Sequence, residues 1–165
     1  QHKKMPFDQG GAWAGRGQVL EPLISEMLAD PYFSQVAPKS TGQDYFNLAW
    51  LERFELNAYR AEDVQRSLLE LTARSIASEI NTADCRTVYL SGGGYHNTLL
   101  VRRLKNLMPQ ANLDSSDALG VDPDFMEAMA FAWLAKQCLD GKHSGLPEVT
   151  GAVSPRILGV VFPRP

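Results

Sequence analysis

Three adjacent glycines, Gly92 to Gly94, separate a β-type segment from a helical segment in the stretch "RTVYLSGGGYHNTLLVRRLKNLMP". The β-branched and aromatic run before them predicts a strand from about Arg86 to Leu90. The leucines after them recur three or four residues apart and predict a helix that begins near Asn97 and ends before Pro109. The chain therefore contains a strand-turn-helix unit whose turn is under a special backbone demand.

This glycine turn admits two interpretations. The first free N–H groups of a helix that begins near His96 or Asn97 point toward the glycines, where they favour a phosphate or another polar ligand group. Alternatively, the glycines form a tight structural turn and Asn97 only caps the helix. The chain has neither a G-x-x-x-x-G-K-[ST] phosphate loop nor a spaced G-x-G-x-x-G motif, so the glycines alone leave both interpretations open.

Composition narrows the classes of protein that fit. With 165 residues and 44% hydrophobic content, the chain is long enough for one sizeable core. Its 16 basic and 19 acidic residues give a net charge of −3 without a basic patch, which argues against nucleic acid as a partner. We find no apolar run of membrane-spanning length and no signal-peptide pattern, so we expect no membrane contact and a cytoplasmic location.

The two cysteines and the first residue give two further expectations. Cys85 and Cys138 lie far apart in sequence and lack metal-ligand spacing, so we expect buried free thiols in a reducing compartment. The chain opens with Gln1 rather than Met, which leads us to expect sequence upstream of it.

Helical periodicity recurs on both sides of the glycine turn. Apolar residues from Leu20 to Leu28 predict a short helix in a loop-rich segment that covers the first sixty or so residues and is left without a strand assignment. Residues 61–80 predict a long helix, with Glu62 and Asp63 in its first turn, where negative charge suits the helix dipole. The predicted apolar face of this helix consists of Val64, Leu68, Leu71, Ser75 and Ile76.

A third helix is predicted from Pro123 to Leu139. Asp122 precedes Pro123 as an N-cap precedes the first helical position, and Gly141 lies just beyond the predicted end. Glu127 lies one turn into this otherwise apolar helix. Its carboxylate either complements the helix dipole or faces a ligand, and spacing leaves both alternatives open. The predicted core stripe is Met126, Met129, Ala130, Trp133 and Leu134.

Few strands accompany these helices. After the strand that ends at Leu90, only the apolar run from Ile157 to Phe162 has strand composition. Two strands do not make a stable sheet, so we expect α/β architecture with a small, incomplete sheet. Its partner strands then lie either in the first sixty residues or in sequence outside this chain.

Six ordered motifs resemble the anhydro-N-acetylmuramic acid kinase family, which phosphorylates a sugar during peptidoglycan recycling. They cover nearly all of the chain, and motifs in this order are far more specific than one glycine run. The motifs are "FDQGGAWAGRGQV", "ADPYF", "PKSTGQDYFN", "YLSGGGYHNTLLVRRLKNLMP", "ALGVDPDFMEAMAFAWLA" and "GLPEVTGA".

The resemblance implies a fold and a reaction. The family belongs to the actin, hexokinase and heat-shock chaperone superfamily, in which two ribonuclease-H-like domains enclose an ATP cleft. It implies that residues 1–165 are the C-terminal domain part of a two-domain sugar kinase, with ATP and Mg²⁺ as cofactors. The implied reaction opens 1,6-anhydro-N-acetylmuramic acid and phosphorylates O6 to give N-acetylmuramic acid 6-phosphate.

The resemblance also implies site residues. Gly92, Gly93, Gly94 and Asn97 are expected beside bound ATP, and Glu127 is expected to contact the sugar. The family's Gly-Thr-Ser phosphate loop and its Asp-Thr-Gly-Pro-Gly segment, which carries the catalytic base, are absent from this sequence. We therefore expect no catalytic residue in the chain and no activity from the chain alone.

The expected partners are a small sugar and the N-terminal part of a longer chain, with a homodimer left open. Two alternatives to a kinase fragment are a non-catalytic relative that binds sugar or nucleotide, and a different actin-like ATPase. The "EAMAFAWLA" and "GLPEVTGA" matches argue against the second of these.

Overall fold

The computed structural model describes residues 5–162, and this part of the chain is rich in helix. No strand lies between residues 5 and 86, so of the two alternatives for the partner strands, the one that places them in the first sixty residues finds no support in the described part of that segment. Short 3-10 turns, among them Gly93–His96, connect the longer elements. In chain order, the helices and strands are α1 Glu21–Leu28, α2 Leu48–Leu51, α3 Ala61–Thr82, β1 Thr87–Leu90, α4 Thr98–Leu107, β2 Asn112–Ser115, α5 Met126–Leu139 and α6 Pro147–Thr150.

The predicted strand-turn-helix unit is the first part of a β-α-β unit. Strand β1 pairs in parallel with β2, in a register that runs from Thr87 opposite Asn112 to Leu90 opposite Ser115. Helix α4 connects the two strands, as a parallel pair requires. The prediction of β1 and α4 is confirmed, but β2 was missed because "NLDS" contains Asn, Asp and Ser, which have low strand propensity.

Helix α3 is the central element, and its buried side differs from the predicted one. Leu71 lies in a cluster with α1, whereas Ala73 and Ala77 pack against α4 and β2. The predicted face is therefore partly wrong, because Ile76 remains 37% exposed. The small side chains of Ala73 and Ala77 let α4 approach α3 closely. A prediction from apolar periodicity selects larger residues beside them, such as Ile76.

Asp30, in the "ADPYF" motif, holds the N-terminal segment together. It is buried and accepts hydrogen bonds from the Trp50 indole N–H at 2.9 Å, the Tyr45 hydroxyl at 2.7 Å and the Tyr32 backbone N–H at 3.0 Å. Burial alone raises the pKa of this carboxyl, but these hydrogen bonds outweigh burial and keep its pKa below the ordinary value. The "ADPYF" and "DYFN" motifs therefore have a structural explanation.

A buried carboxylate joins α1, α3 and α4. Glu70 is almost fully buried and accepts hydrogen bonds from Arg103 and Arg74, each at 2.7 Å. Arg74 also donates to Glu21 at 2.6 and 2.8 Å. Burial acts to raise the pKa of Glu70, but the two guanidinium groups lower it below its ordinary value. This network fixes the three helices relative to one another.

The C-terminal third departs most from the expectations. Asp122 begins a turn rather than a helix, and α5 starts at Met126 instead of Pro123, although its end at Leu139 is confirmed. No α5 residue is buried, so the predicted core stripe is wrong for the described chain. Trp133, for example, is 51% exposed.

The predicted strand from Ile157 to Phe162 is likewise wrong, because this segment pairs with no strand in residues 5–162. An apolar segment becomes a strand only where another strand satisfies its backbone N–H and C=O groups. Cys85 and Cys138 are free, as predicted, but both are only half-buried.

Candidate functional site

The glycine turn follows the carboxyl end of β1, and its outer side is open, with no other atoms of the described chain close to it. Gly92 has φ +70°, a left-handed conformation that favours glycine, and is the only one of the three glycines with positive φ. A Cβ added at Gly92, Gly93 or Gly94 would meet no atom within 4 Å. Nothing in residues 5–162 therefore requires glycine at positions 93 and 94.

Two other glycines have clear packing reasons and form a useful contrast. A Cβ at Gly17 would lie 2.0 Å from the carbonyl oxygen of Glu62, at the start of α3. A Cβ at Gly11, where φ is +73°, would lie 2.5 Å from Asn97 Oδ1 and 2.7 Å from Leu99 Cβ. The chain thus uses Gly11 and Gly17 for close approach of its own backbone, which is not the case at Gly93 and Gly94.

Asn97 caps α4, as the structural interpretation of the turn predicts. Its Oδ1 accepts a hydrogen bond from the Leu100 N–H at 3.1 Å, and Gly11 packs against it. The hydroxyl of Thr98 donates to the Gly10 carbonyl at 3.1 Å, so the N-terminal segment is attached to the start of α4. The capping role of Asn97 is confirmed, and its contact with a nucleotide stays a prediction.

The segment before α5 lies directly against the glycine turn. The Gly92 N–H donates to the Pro123 carbonyl at 2.8 Å. The side chains of His96 and Asp124 are in contact, with 2.7 Å between Nε2 and Oδ1. The structure thus brings together the two regions in which the sequence placed site residues.

Glu127, the second residue of α5, is exposed, and its side chain forms no hydrogen bond or ion pair with the described residues. A carboxylate in the first turn still complements the helix dipole, so both alternatives for Glu127 stay compatible with this geometry. Its neighbour in sequence, the Asp122–Phe125 turn, carries the contacts to the glycine turn.

Sequence reasoning missed the contact between His96 and Asp124, and it also missed the buried Ser116. Ser116, which directly follows β2, is fully buried, and its Oγ has no hydrogen-bond partner in the part of the chain that the structure describes. His96 and Asp124 lie 28 residues apart, and no spacing rule links them. The available signal was that the two motifs that contain His96 and Asp124 are both polar.

Residues 5–162 contain neither a metal-ligating group of side chains nor a membrane-spanning helix. No group of three or more His, Cys, Asp or Glu side chains is arranged to hold a metal ion there. None of the helices in that range has the length and apolar character needed to cross a bilayer.

These features define an α/β protein with its candidate site at the carboxyl ends of parallel strands, where open α/β sheets bind their ligands. The sequence model of the anhydro-N-acetylmuramic acid kinase family matches residues 1–164. The chain therefore belongs to the anhydro-N-acetylmuramic acid kinase family.

Curated relatives support this assignment along almost the whole chain. Proteins named anhydro-N-acetylmuramic acid kinase from Pseudomonas putida and Pseudomonas syringae pv. tomato are 49% and 46% identical to it, over 162 and 161 residues. These matches cover 96% and 95% of this chain but only 45% and 44% of the two relatives. The chain thus spans slightly less than half the length of the relatives that it matches.

Proposed function

We propose that this chain is the C-terminal part of a longer two-domain sugar kinase, called the full-length enzyme below. Its fold is then the ribonuclease-H-like fold of actin-like ATPases, and its location is the cytoplasm. The full-length enzyme converts 1,6-anhydro-N-acetylmuramic acid to N-acetylmuramic acid 6-phosphate during peptidoglycan recycling. Membership of the family supports the reaction. The observation that carries the site is that no contact within the described chain accounts for glycine at positions 93 and 94.

The glycine turn is the proposed nucleotide contact. The open space outside Gly92, Gly93 and Gly94 allows a ligand to approach the backbone without meeting a side chain. Asn97 fixes the turn's exit by capping α4 and so holds the backbone N–H groups near it in place. ATP, when bound, supplies the phosphoryl group that is transferred.

Glu127 is the proposed sugar contact. Its carboxylate is exposed and unpaired within residues 5–162, and it lies in the first turn of α5, the helix that follows the contact with the glycine turn. An ionised carboxylate accepts hydrogen bonds from sugar hydroxyls, and each such bond contributes about 1.5–3 kcal/mol where water is excluded. In this proposal Glu127 orients the sugar and takes no proton.

The remaining chemistry belongs to the part of the full-length enzyme outside this chain. Water loses a proton to a base and adds to the anomeric carbon, the bond from that carbon to O6 breaks, and O6 receives the phosphoryl group of ATP as ADP leaves. A carboxylate must activate the water, and we place this base, with the phosphate loop, in the N-terminal part. Mg²⁺, when bound, would offset the charge on the phosphoryl group that is transferred.

Exposed apolar side chains support the proposal of a longer chain. Phe131, Leu139 and Phe162 are 71%, 72% and 86% exposed, and they lie on α5 and the segment after it. Exposed apolar surface of this extent marks an interaction site in soluble proteins. We assign it to contact with the N-terminal part of the full-length enzyme. A homodimer stays a prediction, which light scattering of that enzyme tests.

Turnover of the anhydro sugar tests the proposed function. The purified full-length enzyme, with ATP and Mg²⁺, is expected to form the 6-phosphate, and the 165-residue chain alone is expected to form none. A full-length protein that binds nucleotide without turnover would instead support the non-catalytic alternative. Turnover by the chain alone would contradict the placement of the base outside it.

A further inference from the structure

Two polar contacts join the glycine turn to the segment that leads into α5. One is the backbone hydrogen bond from Gly92 to Pro123, and the other is the contact between the side chains of His96 and Asp124, at 2.7 Å. We propose that the His96–Asp124 pair is a positioning contact that fixes the start of α5, and with it Glu127, relative to the glycine turn. This inference rests on the proposed function.

Asp124 lies in a turn that is already ordered by its own hydrogen bonds. The Asp124 N–H donates to the Asp122 side chain at 2.9 Å, and the Phe125 N–H donates to the Asp122 carbonyl at 3.0 Å. The Asp124 carboxylate is therefore presented from a defined backbone. Glu127 follows three residues later, so a shift of this turn moves Glu127 as well.

Helix α5 lacks the packing that usually fixes the direction of a helix. None of its residues is buried in the described chain, whereas α3 buries six residues and α4 buries two. The proposed contact with the N-terminal part covers the apolar side of α5 in the full-length enzyme, and within this chain the polar contacts before Met126 connect the start of α5 to the glycine turn. Among these contacts, the one between His96 and Asp124 is made by side chains, so a substitution removes it without changing the backbone.

Because the pair is exposed, its contribution to folding stability is small. The side chains of His96 and Asp124 are 57% and 58% exposed. Exposed pairs of this kind contribute between nothing and about 1 kcal/mol to folding. A misplaced binding group, by contrast, reduces rates strongly even when the displacement is about 1 Å. Kinetics and stability therefore respond differently if the pair positions Glu127.

The test compares four variants of the full-length enzyme. His96→Ala and Asp124→Ala remove the contact, and His96→Gln keeps an N–H donor that reaches Asp124. Lys136→Gln is the matched control, because it breaks another exposed pair of α5, the one with Asp140 at 2.9 Å. The measurements are KM for the sugar, KM for ATP, kcat and the melting temperature.

We expect both alanine variants to raise the sugar KM about three- to fivefold, the most that a contact worth about 1 kcal/mol allows, with less than a twofold change in the ATP KM. His96→Gln should recover most of the loss, and Lys136→Gln should match the parent. Parental kinetics in His96→Ala would overturn the proposal. So would an equal loss in His96→Gln, or an equal loss in Lys136→Gln.

Amide exchange separates this proposal from the proposed function. In the full-length protein, His96→Ala is expected to speed the exchange of amides in residues 122–130 several-fold, whereas Lys136→Gln leaves them unchanged. This readout holds even if the parent protein does not turn over the anhydro sugar, a result that rejects the proposed function. Unchanged exchange in His96→Ala would reject the positioning role itself.

Discussion

Replacement of Gly93 separates a ligand-binding role for the glycine turn from a purely structural one. Gly93 lies at the start of the Gly93–His96 turn without a positive φ, and an added Cβ meets no atom within 4 Å. Alanine at such a position is expected to leave the free energy of unfolding unchanged or raise it by about 0.4–1 kcal/mol, because it restricts the unfolded chain. The structure therefore predicts no loss of stability from Gly93→Ala.

Gly93→Ala is expected to weaken nucleotide binding, although it does not lower the free energy of unfolding. If ATP approaches the backbone of the turn closely, a methyl group at position 93 occupies the space of a ligand atom. We expect a tenfold or larger rise in Kd for ATP, which corresponds to about 1.4 kcal/mol of binding free energy. Gly93→Val carries two more methyl groups and should weaken binding further.

The assay is calorimetric titration of the full-length enzyme with ATP, paired with denaturant unfolding of the same samples. Gly15→Ala is the control, because Gly15 also has no positive φ and its added Cβ makes an ordinary contact of 3.7 Å with Leu99. It should change neither quantity by more than about 1 kcal/mol. Unchanged ATP affinity in a folded Gly93→Val enzyme would refute the reasoning, and the turn would then be only structural.

Three further predictions concern single carboxylates. Glu127→Gln is expected to raise the sugar KM or lower kcat about tenfold while ATP affinity and melting temperature stay near parental; normal kinetics would leave Glu127 with the dipole role alone. Asp30→Asn is expected to lower the free energy of unfolding by about 1.5–3 kcal/mol in denaturant titrations, since the buried Trp50 N–H loses a charged acceptor; a loss below about 0.5 kcal/mol would contradict this. The pKa of Glu70 lies below its ordinary value near 4.5, so its contribution to stability is complete above that pH and is lost as pH falls through the lowered pKa. Glu70→Gln should therefore flatten the fall in stability below about pH 4.5, and an unchanged acid slope would contradict the role of Arg103 as its partner.

Local sequence patterns were enough to predict the helices, whose hydrogen bonds and caps join residues close together in the chain. Periodic leucines and first-turn acids placed α1, α3 and α4 correctly, and a cap at Asn97 was one of the two alternatives that its position offered. These features are local, because a helix forms its hydrogen bonds within four residues and its caps lie next to it. Ordered motifs also placed the chain in its family, which the family comparison confirmed.

Strand pairing, burial and the contacts at the candidate site depend on residues that lie far apart in the chain, so they became known only from the tertiary structure. Strand β2 exists because β1 lies beside it, despite a sequence with low strand propensity, and the run from Ile157 to Phe162 fails to become a strand because no described segment pairs with it. Likewise, apolar residues such as Trp133 do not bury themselves; burial needs a partner surface, and residues 5–162 offer none to α5. The contact between His96 and Asp124, across 28 residues, has the same cause. Pairing, burial and site geometry are properties of the folded neighbourhood, which no local pattern encodes.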